Sequence, residues 1–148
     1  MGKIRCRAII IKDNRLLLIH RITDNSEFYA FPGGLLEKGE ALDDCVVREV
    51  KEEFDITIKV SHLVYTFSWN GTKEYFFVVS WLSGKISKTD AEEYQPNNPY
   101  GEYNPMSIDM SEVGKLNVLP REIALQLLED YPKYGAKLNR PVKDFVRN

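Results

Sequence analysis

Between Ala41 and Phe54 the apolar residues Val46, Val47, Val50 and Phe54 recur at helical spacing, while on either side the chain is written in short β-branched and aromatic runs. Those residues form a core-facing stripe on one helix set between strand-like segments. Asp43 and Asp44 fall in the first turns, near the positive end of the macrodipole. Asp55 follows the helix, where a left-handed residue is expected.

The flanking segments are read the same way. Ile4 to Ile11 reads as a strand, Asp13-Asn14 as a turn, and Arg15 to His20 as its hairpin partner. Thr23 to Ser26 signals a second turn before a short aromatic segment, Phe28 to Phe31. Pro32-Gly33-Gly34 is expected to end regular structure and open a loop that includes Gly39. Beyond the helix, Ile56 to Val60, Leu63 to Trp69 and Glu74 to Leu82 read as strands, with Asn70-Gly71 as a hairpin turn between the last two. Ser83 to Gly101 reads as a polar surface loop, and Tyr103 to Met110 as a last strand broken by Pro105. Pro120 introduces a helix to about Tyr131 with Ile123, Ala124, Leu127 and Leu128 on its apolar face. The tail after Pro132 reads as irregular or weakly helical. Neither repeats nor linkers interrupt residues 1–148, which are expected to form a single domain.

Composition narrows the function classes. With a formal net charge of -2 the chain offers no basic field for nucleic acid, so an anionic substrate needs a metal or a local cluster of Lys and Arg. Cys6 and Cys45 lack zinc spacing and imply no disulfide framework, in keeping with a reducing cytoplasm. The apolar run Ala8 to Ile11 is too short for a signal peptide or membrane span, so no membrane partner is expected.

The chemistry is concentrated on the helix. At 100° per residue, Glu49, Glu52 and Glu53 fall within an arc of about 100° beside the valine stripe. Like charges at this spacing cost roughly 0.2–0.5 kcal/mol per pair, and acids near a helix C-terminus oppose the macrodipole at about 0.3–1 kcal/mol each. A divalent cation that wants oxygen ligands reverses that sign. Taken alone, such acids are more often a solvated helix face. Gly33, with no side chain, lets the main chain approach closely and can add a backbone carbonyl.

The surrounding spacing changes the odds. From Gly34, five residues precede Glu40, seven more precede Arg48-Glu49-Val50, and Lys51, Glu52, Glu53, Phe54, Asp55 and Ile56 complete the string. It resembles the Nudix box, matching six of the seven positions fixed to one residue type and both aliphatic positions. By chance such agreement is roughly a one-in-a-million event. Phe31-Pro32-Gly33-Gly34 and Glu37-x-Gly39-Glu40 are similar to that family as well. Asp55 stands where the family usually has glycine, which touches local geometry rather than metal ligands.

The resemblance implies the Nudix fold, an α/β (α+β) arrangement in which a mixed sheet is sandwiched between helices and the box forms a loop–helix–loop. It implies hydrolysis of a pyrophosphate linkage in a nucleoside diphosphate derivative, with Mg²⁺ or Mn²⁺ held by Glu49, Glu52, Glu53 and the Gly33 carbonyl. Glu49 is the candidate general base, Arg48 would orient a glutamate of the box, and Glu40 would position that arrangement or bind through water. Glu92, Glu93 and Glu102 are candidates for an acid added from a later loop, each more simply an ordinary loop acid. The proline that marks many ADP-ribose hydrolases is not found downstream. Tyr75 is slightly out of place for the tyrosine of many dinucleoside polyphosphate hydrolases. A nucleoside triphosphate, intact or damaged, is the default small-molecule substrate, with a nucleotide-sugar type compound as the other option. The oligomeric state is not readable from the sequence, and a homodimer would be unsurprising. The competing readings are a Nudix-like module that binds a nucleotide as a sensor without cleaving it, and a plain interaction domain with an acidic helix face. His20, His62, Cys45 and the strand aromatics are read as structural.

Overall fold

The computed structural model describes residues 2–86 and 101–148. Its elements are β1 (Lys3–Ile9), β2 (Ile11–Lys12), β3 (Arg15–Ile22), β4 (Glu27–Ala30), β5 (Gly33–Leu35), α1 (Leu42–Phe54), β6 (Thr57–Trp69), β7 (Thr72–Ser83), β8 (Glu102–Asp109), α2 (Met110–Val113), β9 (Val118–Leu119), α3 (Arg121–Tyr134) and β10 (Lys143–Arg147). One mixed sheet runs in the order β10-β6-β7-β1-β5, and a second runs β2-β3-β4-β9 with β8 also paired to β3.

The apolar runs of the strands are continuous because both sheet faces are covered. Successive residues point to opposite faces. Ile9, Leu16, Leu18, Phe76 and Val78 therefore join one buried cluster with Ile123, Ala124 and Leu127 of α3. Ala8, Ile10, Leu17, Ile19, Phe77 and Val79 join the other, with Cys45, Val46, Val50 and Phe54 of α1. The sheets thus lie between α1 and α3, as the resemblance implied.

Several local expectations give way to long-range pairing. β1 and β3 do not form the expected hairpin, which survives only in the two pairs of β2 with β3. β1 instead runs parallel to β7 through seven residue pairs, and β3 runs antiparallel to β8 through eight. The chain passes from one sheet to the other at Ile10, because the distant partners offer far more ladder than the turn at Asp13-Asn14 can. The segment after Pro32 is not a loop, since Gly33–Leu35 pairs with β1. Thr57–Trp69 is one strand rather than two, with register shifts near His62 and Leu63 absorbing the irregularity. Pro105 does not break β8, which pairs only with β3 among the described residues and so has an edge where proline is tolerated. Asn70-Gly71 turns with positive φ at both residues (48° and 76°), as a tight hairpin demands.

The tail is the largest departure. α3 continues through Pro132 to Tyr134, and β10 then adds a parallel strand to β6. Asp130, 2% exposed, accepts from Tyr65 Oη at 2.5 Å, from Gln126 Nε2 at 3.0 Å and from Arg140 Nη1 at 2.9 and 3.1 Å. These bonds tie the end of α3 to β6 and to the returning chain. Thr66 Oγ1 donates to Asp144 at 2.5 Å, and Lys143 Nζ donates to Gln126 Oε1 at 2.9 Å, which seats β10. No helix among the described residues is long and apolar enough to cross a membrane.

Two stability predictions follow from these termini. Asp55 sits at φ 58°, ψ 36°, where glycine carries no steric penalty. The exposed Lys51–Asp55 pair at 3.1 Å offsets little. Asp55→Gly is expected to stabilise by up to about 1 kcal/mol, a rise of roughly 2–4 °C in Tm by calorimetry; a fall would show that the aspartate side chain matters more than the backbone. At Asp130 burial raises the carboxyl pKa, but hydrogen bonds from Tyr65, Arg140 and Gln126 outweigh it and leave the pKa below the ordinary aspartate value. The stability it contributes is therefore full above that value and lost as pH falls through the lowered one. Asp130→Asn should cost about 3 kcal/mol at neutral pH in denaturant titrations, and the loss should shrink in strong acid.

Candidate functional site

The valine face of α1 presses the helix onto β1 and β5, and the two glycines of β5 shape what stands there. Gly33, at φ 141°, lies so close to β1 that a Cβ would run into the Cys6 carbonyl oxygen. Its N–H donates to Glu53 Oε1 at 2.7 Å. A Cβ on Gly34 would stand 2.5 Å from the Glu49 carboxylate. One glycine therefore holds a carboxylate through its backbone, and the other makes room for a second. In this way Glu49 and Glu53 lie on a helix yet are only 8% and 5% exposed.

Both face a cleft of about 500 Å³ between α1, β5 and the inner face of the second sheet. Gly33, Gly34, Glu49 and Glu53 line one side. Arg5 and Arg7 from β1, Arg21 from β3, Phe28 from β4 and Tyr103 from β8 line the rest. Carboxylates thus face guanidinium groups and aromatic rings across one space, a setting for an anion that arrives with a cation.

Arg48 stands behind this wall. Its Nε and Nη2 grip the two oxygens of Glu40 at 2.8 and 3.0 Å, while Nη1 reaches Glu49 Oε1 at 3.0 Å and Glu52 Oε1 at 3.3 Å. Nη2 also donates to the Leu35 carbonyl at 3.2 Å. The paired hydrogen bonds from Arg48 hold the Glu40 carboxyl down to about 2, against the effect of burial and helped by the Glu37 backbone N–H. The same bond to Glu40 raises the Arg48 guanidinium above its usual value, opposed by burial and helped by Glu49. Four acidic side chains, Glu37 among them, surround this arginine within 3.4 Å, so it offsets the repulsion that the helix spacing creates.

Of the residues singled out from the sequence, Glu49, Glu53 and Gly33 meet at the cleft. Glu40 and Arg48 form the support behind it. Glu52 does not line the cleft; it stays on Arg48 with its side chain 41% exposed. Two carboxylates rather than three share the space, and no trio of His, Cys, Asp and Glu side chains among the described residues is gathered as a metal-binding group. Glu102 is exposed at the start of β8 and does not line the cleft, while Glu92 and Glu93 lie outside the described residues. His20 is stacked on Tyr29 and bonded to Glu27 at 2.8 Å, and His62 is bonded to Ser61 and the Leu138 carbonyl. Cys45 is buried, its thiol turned to the Gly34 and Leu35 carbonyls.

Arg5, Arg7, Arg21 and Tyr103 escaped sequence reasoning. A signal existed for the first two. Charged residues alternating with apolar ones in a strand otherwise bound for the core mark a face that does not enter it.

Comparisons with known proteins agree with this architecture. A stretch of 64 residues, 41% of the chain, is 46% identical to an ADP-ribose pyrophosphatase of Methanocaldococcus jannaschii and covers 37% of that protein. A stretch covering 58% of the chain is 31% identical to an NAD-capped RNA hydrolase NudC of Vibrio parahaemolyticus and covers 31% of it. The matches thus span about a third of the length of these relatives. Among solved structures, a Nudix hydrolase from Nitrosomonas europaea superposes with a TM-score of 0.74 at 16% identity, covering 99% of this chain and 80% of that one. An ADP-ribose pyrophosphatase from Streptococcus suis does so with a TM-score of 0.68 at 19% identity, covering 98% and 99%. At such identities the structural likeness speaks for the fold. The model of the NUDIX domain family matches residues 3–121, well over half of the chain, and the protein therefore belongs to that family.

Proposed function

We propose that this chain is a metal-dependent pyrophosphohydrolase that cleaves a nucleoside diphosphate derivative by attack of water on phosphorus. The observation that carries the reading is the pair Glu49 and Glu53, buried yet facing an arginine-lined cleft. Two carboxylates removed from water are costly unless positive charge meets them. Their hard oxygens suit Mg²⁺ or Mn²⁺, and the missing Gly34 side chain lets the Glu49 carboxylate stand beside β5 to offer them. Glu49, Glu53 and the Gly33 carbonyl are the groups that would hold it, with Glu52 as an outer donor. Bound there, the ion would neutralise charge developing on the phosphate oxygens.

The chain's own residues do the rest by positioning. Glu49 is placed to take the proton of the attacking water. Arg48 fixes the direction of Glu49 by its 3.0 Å bond, and Glu40 in turn fixes Arg48. The Gly33 N–H keeps Glu53 from rotating away from the cleft. Arginines and rings on the far side supply the surface for phosphates and a planar group. Both relatives named above act on molecules in which a nucleoside diphosphate is joined to a second group. That favours such a compound over a nucleoside triphosphate as substrate.

The test is product release from ADP-ribose, NAD and nucleoside triphosphates with Mg²⁺, beside an EDTA control. Glu49→Gln and Glu53→Gln should each lower kcat by about 10²–10⁴ while leaving thermal unfolding nearly unchanged. Nucleotide binding with no turnover on any compound would instead favour the sensor. Gly34→Ala gives an independent check. Its Cβ would meet the end of a movable side chain at 2.5 Å rather than backbone. The fold should survive while displacement of Glu49 lowers kcat by roughly 10²; an unaffected kcat would show that the Glu49 position is not critical.

A further inference from the structure

Arg5 and Arg7 stand two residues apart on β1, so their side chains leave the same face, and both line the cleft that holds Glu49 and Glu53. Their surroundings differ. Arg7 donates through Nε to Glu74 at 2.7 Å and through Nη1 to the Phe31 carbonyl at 3.1 Å, so it is neutralised and aimed by the protein. Arg21 is held by rings, its Cζ 3.7 Å from the Tyr103 centroid and 5.6 Å from that of Phe28. Strand register sets those two residues on either side of it, since Arg21 pairs with Phe28 on β4 and with Tyr103 on β8. Arg5 is half-buried, yet no hydrogen bond or ion pair joins its guanidinium to another described residue.

That arrangement is unfavourable as it stands. Burial first, and the like charge of Arg7 second, push the Arg5 guanidinium below its usual pKa, with Glu74 and Glu49 opposing. Surface cations normally turn to water or find a carboxylate. Here a cation is retained beside another cation, on the wall of a concave site, with its planar fork of donors uncommitted. Such a fork matches two oxygens of a phosphate, and an arriving anion relieves both the desolvation and the repulsion.

We propose that Arg5 is the phosphate-binding residue of the cleft, gripping a phosphate of the nucleotide's di- or polyphosphate chain while Arg7 and Arg21 shape the wall. The assignment rests on the cleft being the nucleotide site proposed above. It makes Arg5 a binding group rather than a participant in proton transfer.

The experiment is calorimetric titration of ADP and of inorganic pyrophosphate into the full chain in EDTA, where hydrolysis plays no part. Arg5→Ala should weaken both about 10- to 100-fold, the loss expected for a charge-assisted contact. Arg5→Lys should recover part of it, because the charge returns without the fork. With Mg²⁺, KM should rise for the alanine variant while kcat stays within about twofold. Arg5→Gln, of similar length, guards against a folding defect, and thermal unfolding of all three variants should come no lower than that of the parent. Dissociation constants indifferent to position 5, or a parent that binds neither ligand, would overturn the proposal. The two readings separate cleanly: Arg5-dependent binding in a parent that hydrolyses nothing keeps this assignment and defeats the hydrolase. Normal turnover with KM and binding indifferent to Arg5 does the reverse.

Discussion

The contact on which the site depends is the one between α1 and β5. Val46, Val50 and Phe54 are completely buried against the sheets and press the helix onto a strand whose facing residues are glycines. With any side chain at Gly33 the strand could not approach β1, and with one at Gly34 the Glu49 carboxylate would be displaced. Close packing of an apolar stripe thus brings two acidic residues into the protein with it, since they share the helix at neighbouring angles. Burying an aliphatic side chain is worth roughly 1.5–3 kcal/mol. A few such residues are enough to hold carboxylates where they would not settle by themselves.

The charges so gathered are managed in two layers. Behind the cleft, Arg48 collects Glu40, Glu49 and Glu52, and its bidentate grip on Glu40 links the loop before α1 to the middle of the helix. In front, Arg5, Arg7 and Arg21 face the buried pair across open space. The rear layer is satisfied within the protein and serves as scaffold. The front layer is only partly so, and opposite charges are kept apart around a cavity.

Periodicity within a dozen residues made much of this legible. The valine stripe located α1 within one residue of its observed start, and the glutamate spacing placed the acids beside that stripe. Asp55 was expected to be left-handed and is, and Asn70-Gly71 turns as a tight hairpin. Where the reading failed, a distant partner decided. Gly33 and Gly34 signal a loop by composition, yet β1 draws them into a strand. The segment after Pro132 lacks a strong pattern, yet the bonds of Asp130, Asp144 and Lys143 seat it against α3 and β6.

By itself the sequence determined the helix, its apolar face, its two ends and the spacing of its glutamates, because those depend on angles set by neighbours along one chain. Only the tertiary structure decided that Glu49 and Glu53 share a cleft while Glu52 turns to Arg48, and that Arg5, Arg7, Arg21 and Tyr103 stand opposite. Those residues come from three strands, and their meeting depends on the pairings of β1 with β7 and of β3 with β8. Backbone hydrogen bonds there are available to any strand of suitable length, so the choice among partners rests on how both sheet faces are buried at once. That choice is a property of the whole core, and no local spacing encodes it.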